Sequence, residues 1–268
     1  SMCRFLFTTN PFLSVESKKR LFEIFLEDYM VAGFYPVRGA LLTMYSGGFD
    51  TGLIVDMGAA NIRITPIYKS YILKHAVRFL PLGGNALDTF MALKLKELGL
   101  PVKSSVQKNL VRLLKERACF TSLDFQTDLQ NQEKFLKEYA LPDSTTIEIG
   151  AERFLIPELL FDPALNNVEC DSVVEGILNC VESCDIDIRR DLLNNIVLTG
   201  GNSMFPFFEI RLKQALEEGL VRQNKSFQKV RIIAPKGRIF SNWVGGSILS
   251  MIPEFQDSWI NRKQYFEE

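Results

Sequence analysis

Residues 51–68, TGLIVDMGAANIRITPIY, predict two strands joined by a tight turn. A β-branched run ends at Asp56, passes through the turn at 57–60 and resumes as NIRITPIY, and Gly58 gives the turn its backbone freedom. The N–H groups of a short glycine turn form an anion-binding concavity, and a carboxylate at the preceding strand end can bind a metal ion or its water. The stretch therefore predicts a phosphate-binding turn in an α/β protein, but with a single acid where a working turn could use more polar atoms.

The composition of the chain is that of a globular protein. Its 268 residues are 47% hydrophobic, enough for one large domain or two interleaved ones. The 31 Lys and Arg residues nearly balance the 32 Asp and Glu residues, so the overall charge favours neither nucleic acid nor an anionic membrane as a partner. No apolar run approaches the roughly 18–20 residues that span a bilayer, and the first residues show no clear cleavage site. We therefore expect an intracellular protein that recognises its partners locally.

The five cysteines predict reduced, structural thiols rather than a metal site. None of them belongs to a Cys-x-x-Cys pair, and Cys180 and Cys184 have no second pair or histidine near them in the sequence. The single histidine, His75, is accompanied by no nucleophile motif, so a histidine-based catalytic triad is not expected.

The hydrophobic pattern alternates between helices and strands. Residues 14–30 place six apolar side chains on one helical face and predict an amphipathic helix packed on a sheet. Residues 39–48 predict a second helix, which two glycines end. Helices are also predicted at 84–98 and 104–118, followed by an irregular segment at 124–143, and together these predict an inserted lobe. The order of the elements predicts an α/β fold.

A second glycine turn occurs at residues 196–206, IVLTGGNSMFP. It follows a buried strand, and Gly200 and Gly201 allow close approach of the backbone. A helix N-terminus near Asn202 and Ser203 would favour an anion or a polar ring. The alternative interpretation is an ordinary corner between a strand and a helix, and the presence of two such turns in one chain favours a binding function.

Seven long segments of the chain match one known family in order and spacing. They are TGLIVDMGAANIRITPIYKSYIL, RFLPLGGNALDTFMALKL, KNLVRLLKERACFTSLDF, GAERFLIPELLF, CDIDIRRDLLNNIVL, NIVLTGGNSMFP and FSNWVGGSILSMIPEFQDSWINRKQYFEE. These segments resemble actin and the actin-related proteins. The resemblance covers essentially the whole chain. It implies the actin-like, ribonuclease-H-like fold of the actin, Hsp70 and sugar-kinase superfamily, in which two α/β domains are hinged around an ATP-binding cleft.

The resemblance implies a division of the chain into segments. These are 1–46, part of the first and smaller domain; 47–82, the core of the second α/β domain; 83–170, the helical subdomain that covers adenine; 171–238, the second domain continued; and 239–268, C-terminal helices that return to the first domain. Family members carry a first phosphate loop and a flexible subdomain before the position of Met2. We therefore expect an N-terminally truncated form of the fold, either because the natural protein begins near Met2 or because it was cut there.

The phosphate side of the implied cleft departs from the family pattern. Asp56 matches the first acid of the second phosphate loop, but Met57 stands where a serine is usual and Ala59 stands where the second aspartate should be. Gly39 replaces the glutamine that positions the attacking water, and Arg63 replaces a water-ordering histidine. The electrostatic stabilisation that phosphoryl transfer requires is then largely missing, so no catalytic residue is assigned and at most a weak ATPase is expected.

The nucleoside side of the implied cleft matches the family pattern more closely than the phosphate side does. Lys115 and Glu116 match residues that flank adenine and ribose, although a solvated helix charge is the alternative interpretation of Lys115. Ile239 replaces a lysine that lines the ring, and Asn85 and Ala86 stand where the family has Arg and Asp. The candidate cofactor-binding residues are Asp56, Gly58, Gly84, Lys115, Glu116, Gly200, Gly201, Asn202, Met204 and Phe205. The implied cofactor is ATP or ADP with Mg²⁺ or Ca²⁺, the metal held by Asp56 through water, and the departures predict weak or absent binding.

Two functions follow from this resemblance. The first is a divergent actin-related protein that acts as a structural or binding subunit with a degenerate nucleotide site. The alternative is a fragment of an actin-fold cytoskeletal ATPase that polymerises when complete. A sugar kinase or Hsp70-like chaperone is disfavoured, because no catalytic-base aspartate stands in a sugar-kinase-like context.

The resemblance also implies a groove for partners, lined by Tyr45, Val244, Ile248, Leu249 and Ile252, for which ordinary core packing is the alternative interpretation. The expected partners are actin or other actin-related subunits and actin-binding or complex-scaffold proteins, without direct contact to nucleic acid or membrane. The expected location is cytoplasmic and cytoskeletal, with a nuclear complex as the alternative.

Overall fold

The computed structural model describes residues 3–100, 105–140, 146–225 and 229–267. The strands are β1 (Arg4–Thr9), β2 (Gly33–Arg38), β3 (Gly52–Met57), β4 (Ile62–Tyr68), β5 (Tyr71–Ile72), β6 (Arg78–Leu80), β7 (Lys137–Ala140), β8 (Thr146–Ile149), β9 (Ile196–Thr199) and β10 (Ile232–Ile233). The α-helices are α1 (Val15–Phe22), α2 (Gly39–Gly47), α3 (Gly84–Glu97), α4 (Ser105–Ala118), α5 (Phe125–Gln130), α6 (Glu152–Glu158), α7 (Val173–Glu182), α8 (Ile186–Leu193), α9 (Phe208–Arg222), α10 (Ser241–Met251) and α11 (Arg262–Glu267).

The central sheet is built around β3. Its strand order is β10-β9-β3-β4-β5, with β6 also paired to β4. β3 is parallel to β9 and antiparallel to β4, which confirms the strand pair predicted for residues 51–68. Leu53, Val55 and Met57 are buried on one face of the sheet and Ile54 on the other, because successive strand residues point to opposite sides. A strand with both faces covered explains the continuous apolar run in the sequence.

A second, smaller sheet consists of β1 and β2, which run parallel. α1 continues into a π-helical turn at Glu23–Asp28, and Phe22 and Phe25 from these helices pack on Phe34 of β2. The predicted helix at 14–30 is therefore confirmed in its first part. Its last residues are beyond the helix end and exposed, and Met30 adopts a left-handed backbone conformation, so they add nothing to the buried face.

Helices α2 and α10 pack closely against each other on the other side of this small sheet. Leu42 of α2 and Leu249 of α10 belong to one buried cluster. A Cβ placed on Gly245 would overlap the carbonyl oxygen of Leu42, so the two backbones touch at this point. α2 ends at Gly47 and the chain then enters β3 of the central sheet after a short turn.

The two helices predicted after the central strands are present as α3 and α4. α3 packs on α4 and α6, and the rings of Phe120, Phe135 and Phe154 contact one another beside these helices. The predicted irregular segment is wrong in part, since it contains α5 and also β7, which pairs antiparallel with β8. β7 is short and mostly exposed, so its own pattern is weak and pairing with β8 determines it. Positions 141–143 of that segment lie outside the described residues.

A buried carboxyl group, Glu158 at the end of α6, makes the stability of the fold depend on pH. Glu158 is 4% exposed, and its Oε1 atom lies 3.4 Å from the Nη2 atom of Arg211 on α9. Burial raises the pKa of Glu158 to about 7, and the attraction of Arg211 only partly opposes this rise. Because the pKa in the folded state exceeds that of the unfolded chain, the folded state holds an extra proton between these two values. The resulting stabilisation is complete below the unfolded pKa and is lost as the pH rises through about 7.

We expect Glu158→Gln to flatten the pH dependence of the unfolding free energy. The wild-type value should fall by about 1–2 kcal/mol more than that of the variant between acid and neutral pH, a figure reduced to allow for the compensating Arg211. Urea denaturation at pH 5 and pH 8 measures the difference. Glu218→Gln, on the exposed surface of α9, is the matched control and should keep the wild-type slope. Equal slopes for Glu158→Gln and the wild type would contradict the assignment.

Candidate functional site

Two glycine turns meet where β3 and β9 end. Gly200, after β9, has φ +86°, a conformation that favours glycine, and a Cβ there would lie 2.5 Å from the carbonyl oxygen of Met57. The turn that opens α3 joins them, because the N–H of Gly84 donates to Gly58 O at 3.0 Å and that of Asn85 donates to Ala59 O at 2.8 Å. Three turns from distant parts of the sequence therefore form one surface.

Asn202 and Ser203 act in this surface through hydrogen bonds rather than through a helix N-terminus. Asn202 Nδ2 donates to Gly58 O at 2.8 Å and so ties the second glycine turn to the first. Ser203 is fully buried, and Arg238 donates to its hydroxyl and its carbonyl oxygen at 2.9 and 2.6 Å. The predicted helix start at these residues is wrong. They form a short 3₁₀ turn, and α9 begins only at Phe208, after the left-handed residue Phe207.

Lys115 of α4 lies inside the wall of the site. It is 4% exposed, and its Nζ atom lies 2.7 Å from Asp88 Oδ1 of α3 and donates to Gly84 O at 3.3 Å. The alternative interpretation of Lys115 as a solvated helix charge is therefore wrong. Glu116, the next residue, is half-exposed and accepts from Nε of Arg112 at 3.0 Å, and this bond raises the pKa of Arg112.

These residues enclose a cleft of about 420 Å³, within the range of small-molecule sites. It is lined by Met57, Gly58, Ala59, Gly84, Asn85, Asp88, Arg112, Lys115, Glu116, Gly201, Asn202, Met204, Phe205 and Ile239. Eight of the ten predicted cofactor residues are thus brought together, and the other two, Asp56 and Gly200, do not line the cleft. Asp88 and Arg112 also line the cleft and were not predicted from the sequence. Their helical spacing from Gly84 and Glu116, four residues in each case, is the signal that could have identified them.

Asp56 occupies the end of β3 on the side of the sheet opposite Met57. It pairs in register with Arg63 of β4 and Thr199 of β9. Burial raises its pKa above the usual range, and the positive charge of Arg63 opposes that rise. Among the residues that the structure describes, no group of three or more His, Cys, Asp or Glu side chains is placed to hold a metal ion. A lone, partly buried carboxylate does not by itself build a Mg²⁺ or Ca²⁺ site.

Three of the five residues predicted to line a partner groove are brought together by the structure. Tyr45, Ile248 and Ile252 line a groove of about 530 Å³ between α2 and α10. Leu249 does not line it. Leu249 shares the face of α10 that carries Gly245 and packs in the core with Val37, Leu42, Phe255 and Trp259. Val244, also on α10, is 37% exposed but does not line the groove. Partial burial of Tyr45 raises the pKa of its hydroxyl group.

This arrangement defines a class of α/β proteins whose cleft lies outside the carboxyl ends of neighbouring parallel strands and is covered by a helical lobe. The family model of actin matches residues 2–268, so the chain belongs to the actin family. The resemblance stated from the sequence is confirmed, and the mixed helices and sheets agree with an actin-like fold. In the part of the chain that the structure describes, no helix is long and apolar enough to cross a membrane.

Proposed function

We propose that this chain is a structural or binding subunit of the actin type whose nucleotide site is degenerate. The observation that carries the proposal is the ion pair of Lys115 with Asp88 in the wall of the cleft. Lys115 is one of two cations in the described lining, and because both are paired with acids they add little attraction for a phosphate group anywhere in the cleft. The turn at 57–60 contributes methionine and alanine side chains to the lining, so it offers no replacement for that charge.

The positions that would activate water support the same proposal. The resemblance assigns water positioning to the places of Gly39 and Arg63, and neither residue has the side chain that the family uses there. Arg63 instead stacks over Phe79, with 5.8 Å between the guanidinium carbon and the ring centre. Phosphoryl transfer depends on positioning and on electrostatic stabilisation, and both are weak in this constellation.

We expect the chain to bind Mg-ATP with a dissociation constant above about 10 μM and to show no ATPase activity. Titration calorimetry measures the first quantity and phosphate release over buffer the second. Asp56→Ala is the matched control for hydrolysis, because it removes the acid that stands at the end of β3, just before the turn. Sub-micromolar ATP affinity, or a metal-dependent rate that Asp56→Ala abolishes, would contradict the proposal.

The groove between α2 and α10 supports a role in binding a partner. Its walls combine Tyr45, Phe49, Ile248 and Ile252 with the polar edge of the turn after α2. An open apolar groove beside a helix suits the apolar face of an amphipathic partner helix. Within this proposal the partners are actin, other actin-related subunits, or actin-binding and scaffold proteins of a larger complex. A cytoskeletal or a nuclear complex would use the groove in the same way.

A further inference from the structure

The charged side chains of the cleft balance one another. Among the described residues that line it, the cations are Arg112 and Lys115 and the anions are Asp88 and Glu116. Each cation is paired with one anion, Lys115 with Asp88 at 2.7 Å and Arg112 with Glu116 at 3.0 Å. The lining therefore has no surplus positive charge to offer to a ligand.

The two pairs differ in how firmly the structure holds them. Arg112 and Glu116 are more than half exposed along one face of α4, so water screens their interaction. Lys115 is almost completely buried, and the Gly84 carbonyl holds its ammonium group as well. Separating Lys115 from Asp88 would leave a charge in a poorly solvated place, which is strongly unfavourable. A phosphate group in the cleft would therefore meet no unpaired cationic side chain among the described lining residues, and one next to Asp88 would face a carboxylate whose counter-charge is already engaged.

The remaining lining suits an uncharged ligand that has an apolar ring and a polar edge. Met204, Phe205 and Ile239 supply apolar surface. Asn85 carries both hydrogen-bond donors and an acceptor, and the Glu116 carboxylate can accept hydrogen bonds from hydroxyl groups. We propose that the cleft selects an uncharged nucleoside over the phosphates of the same nucleoside, and that Asp88 is the residue that determines this specificity. This inference rests on the proposed function, since it names the ligand class of the same degenerate site.

Calorimetric titration of the full chain with adenosine, ADP and ATP, with and without Mg²⁺, tests the inference. We expect adenosine to bind about tenfold or more tightly than ATP, because each phosphate adds charge that the cleft does not compensate. Asp88→Asn removes the anion and leaves the Lys115 charge available, so the ratio of ADP to adenosine affinity should rise about tenfold.

Two further variants keep the test specific. Asp88→Glu retains the carboxylate and should preserve the wild-type ratio. Asp191→Asn makes the same charge change at an exposed position of α8 outside the cleft lining and should leave the ratio unchanged. Circular dichroism and the melting temperature confirm that each variant is folded.

The outcomes separate this inference from the proposed function. Tighter binding of ATP than of adenosine, an unchanged ratio in folded Asp88→Asn, or no adenosine binding at millimolar concentration would overturn the inference. If that result came without ATPase activity or sub-micromolar ATP affinity, the role as a binding subunit would stand. Hydrolysis or sub-micromolar Mg-ATP affinity would refute the proposed function itself.

Discussion

Gly245→Ala is expected to destabilise the protein by about 3 kcal/mol, the upper end of the usual penalty for forcing an extra group into a packed contact. The added methyl group would overlap the carbonyl oxygen of Leu42, which belongs to the backbone of α2 and cannot rotate away. α10 would have to move away from α2, and the buried cluster around Leu42 and Leu249 would lose contacts. The midpoint of urea unfolding measures the change.

Gly246→Ala is the matched control, one residue further along the same helix. A Cβ there meets only the side chains of Leu6 and Leu42, at 3.5 and 3.7 Å, which is ordinary van der Waals contact. Alanine also favours the helix by about 1 kcal/mol relative to glycine, so this variant should be neutral or slightly more stable. Equal stability of the two variants would show that α2 and α10 are not in backbone contact.

Ile248→Asp is expected to weaken binding of a helical partner by about 2 kcal/mol, which is roughly a thirtyfold rise in the dissociation constant. Ile248 lines the groove beside Tyr45 and Ile252, and it is 40% exposed in the chain alone. A bound helix would cover it, so an aspartate would become a buried charge without a counter-ion. Pull-down from cell extract with quantified partner bands, followed by titration of the purified partner, gives the change in affinity.

Ile210→Asp provides the control for this experiment. Ile210 lies on α9, is 49% exposed and does not line the groove, so the same substitution should leave partner binding intact. Circular dichroism shows whether both variants fold. If folded Ile248→Asp retained all the partners of the wild type, the groove would not be the docking site.

The sequence predicts the elements whose signal is local. The β3–β4 hairpin follows from a continuous apolar run interrupted by a glycine turn, and α2 follows from its apolar residues and the two glycines at its end. The different positions of Leu249, in the core, and Ile248, in the groove, could not be predicted from the sequence. The two residues are neighbours of similar hydrophobicity, and only the contact of Gly245 with α2 determines which face of α10 is buried.

In the candidate site, too, only features with a local sequence signal could be predicted. The glycine turns of the cleft are visible in the sequence because glycine marks unusual backbone positions. The pairing of Asp88 with Lys115 is not visible, since the two residues lie on different helices and meet only when α3 packs on α4. β7 likewise depends on a partner strand, and four mostly polar residues carry too weak a pattern to predict it alone.

The short connection between α2 and β3 has a thermodynamic consequence. Tyr45 in the groove and Met57 in the cleft belong to one short stretch of chain, which is anchored by α10 at one end and by β9 at the other. If a ligand in the cleft shifts β3, it changes the free energy of occupying the groove. Linkage then requires the reciprocal effect, so that a partner in the groove changes the affinity of the cleft by the same factor. Under the proposed function, the cleft would in this way report which partner occupies the groove even without catalysis.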